Sequence, residues 1–156
     1  AQGYRNERGV GRGLRAAGFA VGAPREDVFL TTKISPEHFR PEQLLRAADE
    51  RLELLGVDYL DLLLLHWPNP DVPLEETLAA FAEVRAAGKT RHLGVSNFPS
   101  ALLAQAVEES PAPLVTDQVE YHPFLSQRTL LKSLRRYGVA LTAYSPVAKG
   151  AVARDS

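Results

Sequence analysis

Apolar positions fall along this chain in two alternating kinds of segment. Leu44, Leu45, Ala48, Leu52 and Leu55 recur at helical spacing behind Pro41, which marks one buried face of a helix. Proline suits the first residue of a helix, because its missing N–H would be unpaired there anyway. Gly56 supplies a stop. Residues 59–65 are apolar at nearly every position, as a parallel strand covered on both faces must be. The unit then recurs. Residues 7–17 predict a helix in spite of three glycines, and residues 27–32 a buried strand. A helix over 74–87 closes at Gly88 before a strand over 92–95. A helix over 100–109 precedes a strand over 115–119. Ser126 is placed to cap a helix through Tyr137, which Gly138 closes before a strand over 139–144.

Five strands alternating with helices at roughly 25–30-residue intervals predict repeated right-handed βαβ units, an α/β class. An open doubly wound sheet is the competitor. Gly9, Gly11 and Gly13 have the wrong spacing for a dinucleotide fingerprint and follow a loop, not a strand. The alternative is a (β/α)8 TIM barrel, which needs about 250 residues. The 156 residues are therefore expected to be a piece of such a barrel: about five βα units, lacking the first strands and the last, as one domain over 1–156. The absence of methionine and the loop-like opening Ala1-Gln2-Gly3-Tyr4 point the same way. Alone, such a piece is expected to be inactive, and either to associate through unpaired strand edges or to fold poorly.

Composition narrows the partners. A net charge of -1, with 24% charged residues, gives no reason to expect nucleic acid or an anionic membrane. With no cysteine there are no disulfides and no thiolate metal sites. The longest apolar run lies around Leu62 to Leu65, far short of a membrane span. No basic-then-apolar leader opens the chain, so a cytoplasmic setting is expected.

The chemistry sits where the strands end. Thr32-Lys33, His66-Trp67, Ser96-Asn97, Gln118 to His122 and Tyr144-Ser145 each follow an apolar run. In a barrel those ends converge on one face, which carries the active site. Tyr4, Lys33 and His66 together form a credible proton-donor set. A free phenol titrates near about 10, too high for an efficient acid at neutral pH. A nearby ammonium stabilises the phenolate, and a histidine can orient the carbonyl to be protonated. Singly, each has a plainer reading: packing for the tyrosine, solvation for the lysine, a backbone hydrogen bond for the histidine. Asp61 and Arg91 read as a scaffold pair, and Arg135 and Arg136 as a solvated helix face. Glu120 and His122 lack a third ligand, so no metal is expected.

Six motifs follow one another in register: Tyr4-Arg5-Asn6-Glu7, Thr31-Thr32-Lys33, residues 60–68, residues 94–98, residues 118–123, and Ala143-Tyr144-Ser145-Pro146. In that order they resemble the aldo-keto reductases, in particular bacterial members of the 2,5-diketo-gluconate reductase kind, over essentially 1–150. The resemblance implies NADPH/NADP+-dependent reduction of aldehydes and ketones, with a small-molecule carbonyl substrate and a monomeric full-length protein. It implies Tyr4 as general acid, Lys33 as the lysine that lowers its pKa, and His66 as the residue orienting the carbonyl. Ser96, Asn97 and Gln118 match residues that bind the nicotinamide carboxamide, and Tyr144 the aromatic stacked on that ring. Ser145 and Val147 match the segment at the pyrophosphate, and Trp67 a wall of the substrate pocket, with core packing as the equal alternative for this residue. The family's catalytic aspartate and its 2′-phosphate segment have no counterpart in these residues, and Lys149 stands where some relatives carry a small hydroxyl residue. A nicotinamide-nucleotide-binding regulatory protein on the same barrel, with little turnover, is the alternative.

Overall fold

The computed structural model describes Tyr4, residues 6–19, Gly22 and residues 24–153. Five strands form one parallel sheet: β1 (Thr31–Ile34), β2 (Leu60–Leu65), β3 (Thr90–Ser96), β4 (Leu114–Glu120) and β5 (Ala140–Tyr144). Their order in the sheet is their order in sequence. An open doubly wound sheet would reverse direction at a switch point; this one winds one way, as the wall of a (β/α)8 barrel does. Five helices accompany it: α1 (Glu7–Ala16), α2 (Pro41–Leu55), α3 (Leu74–Ala86), α4 (Ser100–Glu109) and α5 (Arg128–Tyr137).

The core lies between one face of the sheet and the helices. Ile34, Leu63, Leu65, Leu93, Val95 and Val119 meet Leu44, Leu55, Leu78, Phe81, Leu103 and Leu134 there, all buried. Strand side chains alternate between faces, so Leu62 and Leu64 are buried on the opposite side. Apolar residues on both faces explain the run of leucines in β2, which only Asp61 interrupts. On that second face the strands approach closely, since a Cβ on Gly94 would lie 2.7 Å from both the Leu64 side chain and the Thr116 carbonyl. Pro41 opens α2 and left-handed Gly56 and Gly138 close α2 and α5, as expected.

Several boundaries differ from expectation; β3, for one, begins at Thr90, two residues before the expected 92. The first strand begins at Thr31, not at residue 27. Side chains take part of the bonding of residues 27–30: Arg25 Nη1 donates to the Val28 carbonyl at 3.1 Å and the Leu30 N–H to Asp61 Oδ2 at 2.8 Å, while the Leu30 carbonyl accepts from the Asp61 and Leu62 N–H groups at 3.0 and 3.2 Å. Lys33 therefore lies within the strand, one residue before its end. Ser126 does not cap α5. The helix starts at Arg128, and the Ser126 hydroxyl only accepts from Arg128 Nε at 3.4 Å.

The expected Asp61–Arg91 pair is present at 3.2 Å, with a second and closer partner in Arg25 at 2.8 Å. Both guanidiniums also lie over the Tyr59 ring, 4.1 and 4.3 Å from its centre. This cluster clamps the N-terminal end of β2, away from the strand ends that carry chemistry. No helix among the described residues is long and apolar enough to cross a membrane.

Candidate active site

Parallel strands deliver their C-terminal ends to one face, and a cavity of about 410 Å³ opens there. Its lining is Tyr4, Lys33, His66, Trp67, Ser96, Asn97, Tyr144 and Ser145. Eight of the ten residues singled out from sequence thus share one cavity. Gln118 is half-buried and contributes its carbonyl, which accepts from Ser96 Oγ at 2.7 Å and from the Asn97 N–H at 3.0 Å. Val147 is 58% exposed on the turn after β5 and does not line the cavity.

Asn97 is the junction. Its Nδ2 donates to the His66 carbonyl at 3.0 Å and to Ser96 Oγ at 3.1 Å, and its Oδ1 accepts from the Tyr144 hydroxyl at 2.9 Å. One side chain therefore ties the ends of β2, β3 and β5. The backbone there is left-handed (φ 63°), a conformation that asparagine tolerates better than most residues. The turn after β5 has the same character, with positive φ at Ser145, Ala148 and Lys149.

Charge in the cavity is set by burial. Lys33 is half-buried, and desolvation lowers its pKa from the usual lysine range. His66 is lowered by burial first and by the Lys33 charge second. It is therefore neutral at pH 7, able to donate one ring N–H to an oxygen and accept at the other nitrogen. Tyr144 is pushed up, chiefly by burial and then by Glu120, so its hydroxyl remains a donor. Trp67 is 49% exposed, a flat apolar wall of the cavity and not core packing.

Two features were missed from sequence. A wider groove of about 530 Å³ continues from Trp67, Asn97 and Tyr144 past Glu120 to Arg128. Asp117 is wholly buried directly before Gln118; a carboxylate inside an otherwise apolar and hydroxylated strand was the available signal. The Glu120–His122 pair forms at 3.2 Å, and among the described residues no group of three His, Asp or Glu is placed to hold a metal ion.

Comparison with known proteins agrees with this geometry. The model of the Aldo/keto reductase family matches residues 1–156. An aldo-keto reductase of Mycolicibacterium smegmatis is 39% identical over 156 residues, 99% of this chain and 55% of that protein. The methylglyoxal reductase DkgB of Escherichia coli O157:H7 is 35% identical over 99% of this chain and 58% of its own length. Among solved structures, an aldo/keto reductase from Klebsiella pneumoniae in complex with NADP and acetate superposes with a TM-score of 0.79. It is 34% identical, over 96% of this chain and 51% of its own. The chain thus spans about half the length of the curated relatives it matches.

Proposed function

The chain belongs to the aldo/keto reductase family, and on that premise we propose that the protein reduces small aldehydes or ketones to alcohols with NADPH. The observation that carries this reading is the single cavity shared by Tyr4, Lys33, His66 and the cofactor candidates Ser96, Asn97, Tyr144 and Ser145. Tyr144 offers an aromatic face and Asn97 and Ser96 offer amide and hydroxyl groups beside it, a set suited to a flat heteroaromatic amide. The donor set therefore fits a nicotinamide. When bound, NADPH supplies the hydride.

The chain's own residues manage the oxygen. Tyr4 is the general acid that gives its phenolic proton to the carbonyl oxygen as negative charge develops there. Lys33, half-buried at the same cavity, stabilises the phenolate left behind. His66, neutral at pH 7, donates a ring N–H that orients the carbonyl. Trp67 provides an apolar wall for the substrate. Related proteins are described as reducing methylglyoxal, which makes small dicarbonyls natural first substrates.

The test is NADPH consumption by the whole protein over a panel of aldehydes and ketones that includes methylglyoxal. It runs beside a Tyr4→Phe variant. Turnover is expected in the wild type and lost by about a hundredfold or more in the variant, with NADPH affinity retained. Turnover that survives the substitution would remove Tyr4 as the acid. NADPH binding with no consumption across the panel would favour a regulatory nucleotide-binding role instead.

A further inference from the structure

Asp117 has 0% exposure in the middle of β4, where a carboxyl has little to offer packing and much to lose by desolvation. Val95 is its register partner on β3, and Val119 follows it at the next position on the same face, both in the core beneath the helices. Asp117 Oδ1 accepts from the Phe98 N–H at 3.4 Å, and Oδ2 has no hydrogen-bond partner among the described residues. The bond goes to the turn that carries Asn97, whose backbone is left-handed and whose amide joins His66, Ser96 and Tyr144. Beyond this bond and a smaller interaction with the Asn97 N–H, no polar contact among the described residues accounts for a carboxyl at this depth.

We propose that Asp117 is a positioning residue for the nicotinamide end of the site, holding the Asn97–Phe98 turn from behind so that the Asn97 amide keeps its place. This rests on the reductase reading of the cavity. It also makes the site sensitive to pH. Burial pushes the Asp117 carboxyl up to about 7, against a smaller opposite pull from the Phe98 and Asn97 N–H groups. Arg91 and His92 on β3, Glu120 on β4, Glu108 and Glu109 on α4, Tyr144 on β5 and the basic residues of α5 play no part in that shift. Below neutrality the carboxyl is uncharged and sits in apolar surroundings at little cost. An exposed carboxyl ionises near 3.8, so the retained proton holds the turn closed below neutrality; that hold weakens as pH rises toward about 7 and is gone above it, which releases Asn97.

The test compares the whole protein with its Asp117→Asn variant, an isosteric change without a titrating proton. Hydrogen exchange at the Phe98 amide, corrected for the intrinsic rate, is followed from pH 5 to 8, together with NADPH dissociation constants. In the wild type, protection should fall with rising pH by up to about tenfold per pH unit, the limit for release of one proton, between the ordinary carboxyl value of 3.8 and about 7, and level off above that. NADPH affinity should fall with it. The ratio of wild type to variant removes titrations common to both, including those of His66 and of the cofactor phosphate. A protection profile that is flat between pH 5 and 7 in the wild type overturns the proposal whether or not the variant folds. Falling protection with an unchanged affinity ratio overturns the link to the cofactor. No NADPH binding at any pH would overturn the reductase reading and the cofactor half of the proposal, while the exchange profile would still decide whether Asp117 holds the turn.

Discussion

The Tyr144 hydroxyl donates to Asn97 Oδ1 at 2.9 Å, joining the end of β5 to the end of β3 over the intervening β4. The same asparagine reaches the other way, to the His66 carbonyl at the end of β2. The site's rim is held by side chains as well as by the ladder beneath it.

Asn97→Ala and Asn97→Gly separate the two roles of this residue. Both lose three hydrogen bonds, each worth about 1 kcal/mol net. Alanine must also adopt φ 63°, at a further cost of about 1 kcal/mol that glycine avoids. Chemical unfolding of the whole protein should therefore rank wild type above Asn97→Gly above Asn97→Ala. Equal stability of the two variants would show that the backbone is unstrained there.

His66 carries the expected acid limb of the rate profile. Its pKa lies below the ordinary histidine value because of burial and then Lys33. The neutral form therefore persists through neutral pH, and kcat/KM should fall only on the acid side of about 6.5. His66→Gln should lower kcat/KM by about tenfold or more and erase that limb. An acid limb that remains unchanged in the variant belongs to another group.

Two glycines of α1 should respond with opposite signs. A Cβ on Gly11 would sit 2.5 Å from the Leu55 carbonyl, at the end of α2, whereas one on Gly13 meets nothing within 4 Å. Gly11→Ala should destabilise by roughly 1–3 kcal/mol through overpacking. Gly13→Ala should stabilise by about 0.5–1 kcal/mol through helix propensity. Thermal denaturation of the two variants checks the pair, and destabilisation by Gly13→Ala would mean that α1 packs otherwise.

The Asp61 cluster is uneven in the same testable way. Arg25 is 3% exposed, so Asp61→Ala leaves a buried guanidinium without its counter-charge, at a cost of about 3–5 kcal/mol. Arg91 is 52% exposed, and Arg91→Ala should cost no more than about 1 kcal/mol. Similar losses from both would contradict the burial asymmetry.

Local pattern was a good guide wherever one element's own residues decide its state. α4 spans Ser100–Glu109 as its periodicity predicts, and β2 and β5 begin within a residue of expectation. The first strand was misplaced because Asp61, 31 residues further on, takes the Leu30 N–H that a ladder would have used. Ser126 looked like a cap, yet the neighbouring Gln127 fastens the loop through Nε2 to the Glu120 carbonyl at 2.9 Å and the helix starts later.

By itself the sequence determined the alternation of strands and helices and the residue types waiting at the strand ends, because hydrophobic period and terminal chemistry are local properties of the chain. Only the tertiary structure decided that Asn97 binds across three strands, that Gln118 supplies a carbonyl to the rim, and that Asp117 lies buried beneath the turn with one oxygen unpaired among the described residues. Those outcomes depend on burial and direction. Both are set by neighbours tens of residues away that no window of sequence contains.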